Sequence, residues 1–182
     1  MVKITKKDKI FIEGKRIYLR EIRLSDVNEN YLRWMNDSEV TQFLESRFSP
    51  QTLETIKDYV KKTTNFTNSI LLAIILKKGD KHIGNIRISN IDRNHGSADI
   101  GLMLGEKKEW GKGYGSEAIK LVVDCALNKL NLRRLTAYIY GNNMASIKAF
   151  GKAGFKDEGT RKEMRLYKGR YVDEKIFGIV KK

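Results

Sequence analysis

Hydrophobic positions recur along this 182-residue chain with two different spacings, one typical of strands and one typical of helices, and these spacings predict its secondary structure. Apolar residues alternate with other side chains from Lys15 to Glu21, which predicts a strand. Two helical stretches follow, one that Ser25 can cap and one that begins at Ser49-Pro50, where proline suits the first helical turn. Their apolar stripes are formed by Val27, Tyr31, Trp34 and Met35 and by Leu53, Ile56 and Val60.

Strands dominate the middle of the chain. Residues 70–76 are apolar and β-rich, Lys78-Gly79-Asp80 predicts a hairpin turn into a strand at 83–91, and a turn at 92–95 leads into a strand at 98–104. The pattern then predicts a helix, a strand at 132–140, a helix at 143–153 ended by Gly154, and two strands around Lys168-Gly169. The order β-α-α-β-β-β-α-β-α-β-β predicts a mixed α/β (α+β) fold with a largely antiparallel sheet and one β-α-β crossover.

Length and the lack of a linker-like stretch predict a single domain over residues 1–182, with residues 1–14 as a loosely held N-terminal segment. The apolar run at 70–76 is far shorter than the roughly 20 residues of a membrane span, and the amino end shows no signal-peptide pattern. One cysteine, Cys125, excludes an intramolecular disulfide framework and a cysteine-based zinc site. We therefore expect a cytoplasmic protein with no metal and no membrane partner.

The charge balance changes this picture, because 36 Lys and Arg residues face 22 Asp and Glu residues for a formal net charge of +14. Such a charge attracts polyanions, among them nucleic acid and phosphorylated small molecules. The basic residues are spread along the chain, and no basic helix is interleaved with aromatic residues. We therefore expect no nucleic-acid partner, although a nucleic-acid-binding module remains an alternative.

The first candidate functional motif is a glycine-rich loop between a predicted strand and a predicted helix, Trp110-Gly111-Lys112-Gly113-Tyr114-Gly115-Ser116. The first turn of a helix has free amide groups and partial positive charge, and glycine lets a phosphate approach the backbone closely. The loop is therefore predicted to be a phosphate cradle. It is not a Walker A loop, since Gly113 follows Lys112, and its Gly-x-Gly-x-Gly spacing differs from the dinucleotide-binding pattern.

Around this loop, the chain resembles the GNAT acyltransferases, and more narrowly their RimJ/RimL-like branch, from Arg16 to Val180. The motifs that carry the resemblance are Gly101-Leu102-Met103-Leu104, Trp110 to Ser116 with Glu117-Ala118, Asn143-Met144-Ala145-Ser146, Gly154-Phe155 and Gly169-Arg170-Tyr171-Val172-Asp173. The resemblance implies an acetyl-CoA-dependent N-acetyltransferase. It also implies a twisted sheet flanked by about four helices, with a splayed strand pair that receives acetyl-CoA.

The resemblance also implies the cofactor contacts. The pyrophosphate of coenzyme A would be wrapped by Gly111, Lys112, Gly113, Tyr114, Gly115 and Ser116. Met103 and Leu104 would offer backbone hydrogen bonds to the pantetheine arm, and Asn143 and Ser146 would add further contacts. Two positions depart from the family pattern: Trp110 replaces the usual Gln or Arg, and Phe150 replaces a tyrosine that can protonate the departing thiolate.

Transfer of an acetyl group to an amine requires removal of a proton, because an amine of pKa about 10 is mostly protonated at neutral pH. Asp99 is the candidate base, since it shares a strand face with Gly101 and Met103; its alternative reading is an ordinary solvated carboxylate. Ser146 is the candidate proton donor to sulfur, unless the thiolate leaves without a dedicated acid. Tyr138 and Tyr140 are weaker candidates.

The acceptor is expected to bind under the variable first helices. Trp34, Asn36, Glu39, Arg47 and Arg87 are the candidate substrate-binding residues. The segment 33–37 with 45–48 resembles branch members that acetylate amino groups on nucleotide-linked sugars, so a small-molecule amine of that kind is expected. A protein N-terminus, a polyamine held by Asp37, Glu39 and Glu45, and a non-catalytic acyl-CoA-binding role remain alternatives, as do a monomer and a homodimer.

Overall fold

The computed structural model describes residues 2–3, 11–64 and 68–181, and within them nine strands form one sheet with five α-helices around it. The strands are β1 (Val2–Lys3), β2 (Phe11–Glu13), β3 (Ile17–Glu21), β4 (Ile70–Leu76), β5 (Lys81–Asp92), β6 (Ser97–Leu104), β7 (Arg134–Tyr140), β8 (Lys156–Tyr167) and β9 (Arg170–Val180). The helices are α1 (Glu29–Asn36), α2 (Ser38–Thr41), α3 (Leu53–Thr63), α4 (Tyr114–Asn128) and α5 (Met144–Lys152). The predicted mixed α/β fold is confirmed.

The sheet has the order β1-β2-β3-β4-β5-β6-β7-β9-β8, and every neighbouring pair except one is antiparallel. The exception is β6 with β7, which run parallel and are joined by the crossover helix α4. This pair is in register only over residues 97–99 and 134–136, although β6 continues to Leu104 and β7 to Tyr140. The two strands therefore diverge, and the sheet opens between their carboxyl ends.

Two hydrophobic clusters cover the two faces of the sheet. Every residue of β4 is buried, as expected for a central strand covered on both sides. Helix α4 buries Ile119 and Val122 against one face, and α1 and α3 bury Tyr31 and Val60 against the other. Within the described ranges, no helix combines the length and apolar character needed to cross a membrane.

The beginnings of two helices differ from the sequence prediction. Helix α1 is capped by Asn28, whose side chain accepts hydrogen bonds from the amides of residues 30 and 31, rather than by Ser25. Ser25 lies in a short 3₁₀ turn, because the neighbouring Asp26 forms a two-pronged ion pair with Arg20. Helix α3 begins after Thr52, which forms a capping box with Thr55, rather than at Ser49-Pro50.

Part of the N-terminal segment 1–14, expected to be loosely held, is built into the sheet. Strand β2 pairs with β3, strand β1 pairs with β2, and Ile12 is buried in the main core. Residue 1 and residues 4–10 lie outside the described residues. The expectation is therefore wrong for residues 11–13, because an alternating pattern of three residues is too short to recognise.

A half-buried histidine makes the stability of the fold depend on pH. The ring of His82 packs edge-on against Trp34 (5.1 Å between centroids) and Tyr31, and its Nε2 lies 2.9 Å from the carbonyl oxygen of Gly84. Burial lowers the pKa of His82 below its ordinary value. The unfolded chain therefore takes up the proton first on acidification, and the contribution of His82 to stability is present above pH about 6.5 and is lost below it.

We expect the free energy of unfolding, measured in urea from pH 7.5 to 5, to fall as the pH drops below about 6.5. A His82→Gln variant should lose most of this decline, whereas His95→Gln should retain it, because the His95 side chain is 81% exposed. These are the two histidines of the chain, so the pair of variants separates their contributions. An unchanged decline in His82→Gln would contradict the assignment.

Candidate active site

The glycine-rich loop forms an open cradle at the beginning of α4. Gly111 and Gly113 adopt left-handed backbone conformations with φ of 74° and 84°, which side-chain-bearing residues rarely adopt. Gly113 is the N-cap residue, and as a glycine it has no side chain that could accept a hydrogen bond from the first turn. The amides at the start of α4 are therefore left for a ligand, and the helix dipole favours an anion there.

Gly115 has a packing role in addition to the cofactor contact expected of it. It is buried, and a Cβ atom at this position would lie 3.1 Å from Cδ2 of Leu102. The glycine therefore lets α4 pack closely on β6, while its amide belongs to the first turn. Trp110 replaces the usual first residue of the loop, and its indole nitrogen donates a hydrogen bond to the carbonyl oxygen of Leu104 (2.9 Å). The loop is thus fastened to the end of β6.

Arg16 and Glu117, which the sequence reasoning did not single out, clamp the other side of the loop. The Glu117 carboxylate accepts hydrogen bonds from the backbone amide and from Nε of Arg16, both 2.8 Å long. Nη1 of Arg16 also donates to the carbonyl oxygen of Lys112 (2.8 Å), and the guanidinium lies 4.6 Å from the ring centroid of Tyr114. Burial alone would raise the pKa of Glu117, but the hydrogen bonds from Arg16 hold it below its ordinary value.

The gap between β6 and β7 exposes backbone groups of both strands. The amide of Gly105 donates to the carbonyl oxygen of Ile83, and hydrogen-bonded pairs alternate along an antiparallel ladder. The backbone of Met103 is therefore directed at β5, whereas the amides of Leu102 and Leu104 are directed into the gap. The backbone of Met103, which was expected to bind the pantetheine arm, therefore does not face the gap, whereas the backbone groups of Leu102 and Leu104 do.

A cavity of about 510 Å³ runs from the cradle through this gap to helix α2. Eight of the ten expected cofactor residues line it, namely Met103, Leu104, Gly111, Gly113, Gly115, Ser116, Asn143 and Ser146. Lys112 and Tyr114 do not. The Lys112 ammonium pairs with Glu109 at 3.0 Å, and the Tyr114 ring lies under Arg16, so both contribute to the cradle only through their backbone. Lys148 and Lys152 of α5 also line the cavity, which the sequence reasoning missed.

Asp99, the expected base, lies at the last position where β6 and β7 are still paired. Its carboxylate accepts a hydrogen bond from the side chain of Asn90 (2.7 Å). It shares a strand face with Gly101 and Met103, the face toward α1 and α3, but it does not line the cavity itself. The Asp99 carboxylate therefore lies two residues along the same strand face from Gly101, which lines the cavity.

The expected proton donor and the residue at the usual tyrosine position both face the cavity. The side chain of Asn143 caps α5 by accepting a hydrogen bond from the amide of Ser146 (3.1 Å), and Ser146 belongs to the lining of the cavity. Phe150 is buried edge-on against Phe155, 5.0 Å between centroids. Tyr140 also lines the cavity, and burial is the main cause that raises the pKa of its hydroxyl.

The five expected acceptor residues are not brought together. Glu39 lines the cavity, but Trp34 is 3% exposed and packs over Gly105, where a Cβ atom would lie within 2.1 Å of the indole. Trp34 is thus a packing residue, and the expectation that it contacts the acceptor is wrong. Arg87 also fails this expectation, because it contacts Ser69 and stacks on a tyrosine of α3 away from the cavity lining.

The other two residues, Asn36 and Arg47, line a separate second cavity on the far side of α2. The Asn36 side chain joins α1 to the start of α3, since it donates to and accepts from the backbone of Gln51. In the described part of the chain, no group of three or more His, Cys, Asp or Glu side chains is arranged to hold a metal ion.

The acidic residues near the first cavity already have cationic partners. The Lys107 ammonium lies 2.7 Å from a carboxylate oxygen of Asp37 and 2.6 Å from one of Glu39. Arg165 lies 3.0 Å from a carboxylate oxygen of Glu45, which also accepts a hydrogen bond from the hydroxyl of Tyr140. The hydrogen bond from Lys107 is the main cause that lowers the pKa of Asp37.

Three features are those expected of a GNAT acyltransferase, the class that the sequence resembles. They are the gap between β6 and β7, the start of α4 without a side-chain cap, and the cavity that connects the gap to this helix start. The family model described as an acetyltransferase (GNAT) domain matches residues 16–156. The chain belongs to the GNAT family and is an N-acetyltransferase. It is 31% identical over 172 residues to an uncharacterized N-acetyltransferase, p20, of Bacillus licheniformis, covering 92% of this chain and 94% of that protein.

Two solved structures share the fold at lower identity. RimL, a ribosomal L7/L12 α-N-protein acetyltransferase in complex with coenzyme A, superposes with a TM-score of 0.84 at 19% identity and covers 93% of this chain and 97% of that one. Spermidine N-acetyltransferase from Vibrio cholerae, in complex with CoA and spermine, superposes with a TM-score of 0.82 at 19% identity and covers 92% and 96%.

Proposed function

We propose that residues 1–182 form one acetyltransferase domain that moves the acetyl group of acetyl-CoA to the primary amine of a small molecule. The observation that carries the proposal is the continuous cavity from the uncapped start of α4 to the gap between β6 and β7. When bound, acetyl-CoA supplies the activated acetyl thioester. RimL and the spermidine N-acetyltransferase, both solved with the coenzyme, support this choice of co-substrate.

In this proposal the backbone amides of residues 111–116 hold the pyrophosphate, and those of Leu102 and Leu104 hold the pantetheine arm in the gap. The Asn143 amide and the Ser146 hydroxyl contact the arm from α5, and Lys148 and Lys152 contribute positive charge at the same wall. The net charge of +14 then has one clear use, because coenzyme A carries three phosphate groups and a basic protein attracts it.

The acceptor amine enters from the α2 side of the gap and attacks the thioester directly. Asp99 takes the proton that the amine must lose, through a water molecule or by direct contact, since it lies on the face that continues into Gly101. Phe150 provides no proton, so Ser146 protonates the departing sulfur or the thiolate leaves unassisted.

For the acceptor we propose an amine on a nucleotide-linked sugar rather than a polyamine or a protein N-terminus. A polyamine requires carboxylates that are free to pair with it, whereas Asp37 and Glu39 are paired with Lys107 and Glu45 is paired with Arg165. A positively charged protein N-terminus would also lack a free carboxylate to pair with. A neutral or anionic acceptor needs no such carboxylate.

A thiol-release assay with a panel of amines tests this function. We expect acetyl-CoA turnover with a nucleotide-linked amino sugar, stoichiometric with the appearance of its N-acetyl product by mass spectrometry. Spermidine and N-terminal peptides should react at least ten-fold less efficiently in kcat/KM. Higher efficiency with spermidine would contradict the acceptor class, and tight binding of acetyl-CoA without release by any amine would favour a non-catalytic acyl-CoA-binding role.

A further inference from the structure

The second cavity, of about 520 Å³, lies between the end of α1, the segment after α2 and the β8–β9 turn. Its lining includes two cations, Arg47 and Lys168, with hydroxyl and amide groups between them at Ser38, Gln42 and Ser49. No carboxylate belongs to this lining within the described residues. Guanidinium, ammonium and hydroxyl groups around one space are the donors that bind phosphate.

The guanidinium of Arg47 is held in place by neutral oxygens. It donates to the carbonyl oxygen of Leu44 (2.7 Å), to the hydroxyl of Tyr140 (2.8 Å) and to the carbonyl oxygen of Leu166 (2.6 Å). Across residues 11–64 and 68–181, no carboxylate lies within ion-pair distance of it, since Glu45 pairs with Arg165 instead. Arg47 is half-buried, so its charge is neither paired nor fully hydrated.

Lys168 supplies a second positive charge at the hairpin turn. Its ammonium lies 5.5 Å from the centroid of the adjacent Tyr167 ring and has no acidic partner among the described residues. The hydroxyl of Tyr167 donates to Oε1 of Gln42 (2.9 Å), and its ring stacks on Phe43 at 5.2 Å. These contacts fix the hairpin against the segment after α2, and the hairpin thereby forms one wall of the cavity.

The second cavity is adjacent to the first at Gln42, which belongs to the lining of both. Arg47 also spans the two, since it lines the second cavity while it donates to Tyr140 in the first. The side chains of Gln42 and Arg47 therefore lie where the two cavities adjoin, and Arg47 is one hydrogen bond away from a residue of the first cavity.

We propose that the second cavity binds a phosphate group of the acceptor through Arg47 and Lys168 while the acceptor's amine occupies the first cavity. This inference rests on the proposed function and assigns a separate part of the molecule to the anionic end of the acceptor. The specificity for a phosphorylated amine then comes from two cations that the acetyl-transfer chemistry does not use.

Calorimetric binding of inorganic pyrophosphate to the 182-residue protein, saturated with CoA so that the cradle is filled, tests the site. We expect wild-type protein to bind pyrophosphate and both Arg47→Gln and Lys168→Gln to bind it at least ten-fold more weakly. Lys78→Gln is the matched control, because Lys78 is also an exposed lysine that precedes a glycine in a hairpin turn. Lys168→Gln breaks no hydrogen bond of the fold, so it remains informative if Arg47→Gln does not fold.

Steady-state kinetics identify the source of the phosphate. Pyrophosphate should inhibit competitively against a phosphorylated acceptor, and Lys168→Gln should raise KM for glucosamine 1-phosphate or UDP-glucosamine but not for glucosamine. Non-competitive inhibition, or equal pyrophosphate affinity in wild type and both variants, would overturn the proposal. The proposed function fails separately, if no amine releases thiol while pyrophosphate still binds in an Arg47-dependent way.

Discussion

A Gly113→Val variant is expected to raise KM for acetyl-CoA by about 100-fold or more. The φ of 84° at this N-cap position is strained for a β-branched residue, and a Cβ atom there would lie 3.4 Å from Nη2 of Arg16. Both effects displace the first turn of α4, so the amides of Gly113 and its successors no longer converge on the pyrophosphate. Loss of two charge-assisted hydrogen bonds, each of about 1.5–3 kcal/mol, accounts for a change of this size.

The matched control for this variant is Gly79→Val. Gly79 has a φ of 78°, nearly that of Gly113, and an added Cβ atom would meet no atom within 4 Å. The backbone strain is thus reproduced at a turn that contributes no residue to the lining of the cavity. We expect Gly79→Val to lose similar thermal stability but to keep the wild-type KM for acetyl-CoA. A KM in Gly113→Val within about three-fold of wild type would refute the cradle.

An Asp99→Asn variant should lower kcat/KM for the amine at pH 7 by about 10²- to 10⁴-fold, because it removes the base and preserves the shape of the side chain. Without a base, only the neutral amine reacts, so the rate should rise about ten-fold per pH unit until the pH reaches the pKa of the acceptor amine. The variant therefore approaches wild-type activity at high pH. A merely structural role of Asp99 would lower activity evenly across the pH range.

Asp92→Asn is the control for this substitution, because Asp92 lies in the same hairpin and its carboxylate accepts from the amides of residues 94 and 95. We expect it to leave both the rate and the pH profile of acetyl transfer unchanged. Full activity of Asp99→Asn at neutral pH would show that Asp99 is an ordinary strand carboxylate hydrogen-bonded to Asn90.

Much of the fold could be predicted because its signals are local. Alternation in β3, the apolar run of β4 and the glycine turns at residues 79 and 169 each lie within a few neighbouring positions. The first residues of α1 and α3 could not be predicted, because Ser25 and Ser49 are as good local caps as Asn28 and Thr52. Their selection depends on contacts with other segments, such as the ion pair of Asp26 with Arg20.

The candidate site, like the fold, could be predicted from the sequence only where its signals are local. Glycine spacing alone predicted the cradle, and strand alternation predicted the face of Asp99. The Arg16–Glu117 clamp joins residues 101 positions apart, and the close packing of Trp34 over Gly105 likewise joins distant segments, so neither leaves a periodic signal. The direction of the Met103 backbone depends on its pairing with β5, which the sequence of β6 does not contain.

The most direct test of the central claim is a crystal structure of the protein in complex with CoA. We predict that the pyrophosphate oxygens lie within about 3.2 Å of backbone amides in the segment 111–116 and that the pantetheine arm lies in the gap beside Leu102 and Leu104. A pyrophosphate bound away from the start of α4, or a pantetheine arm outside the gap, would contradict the account.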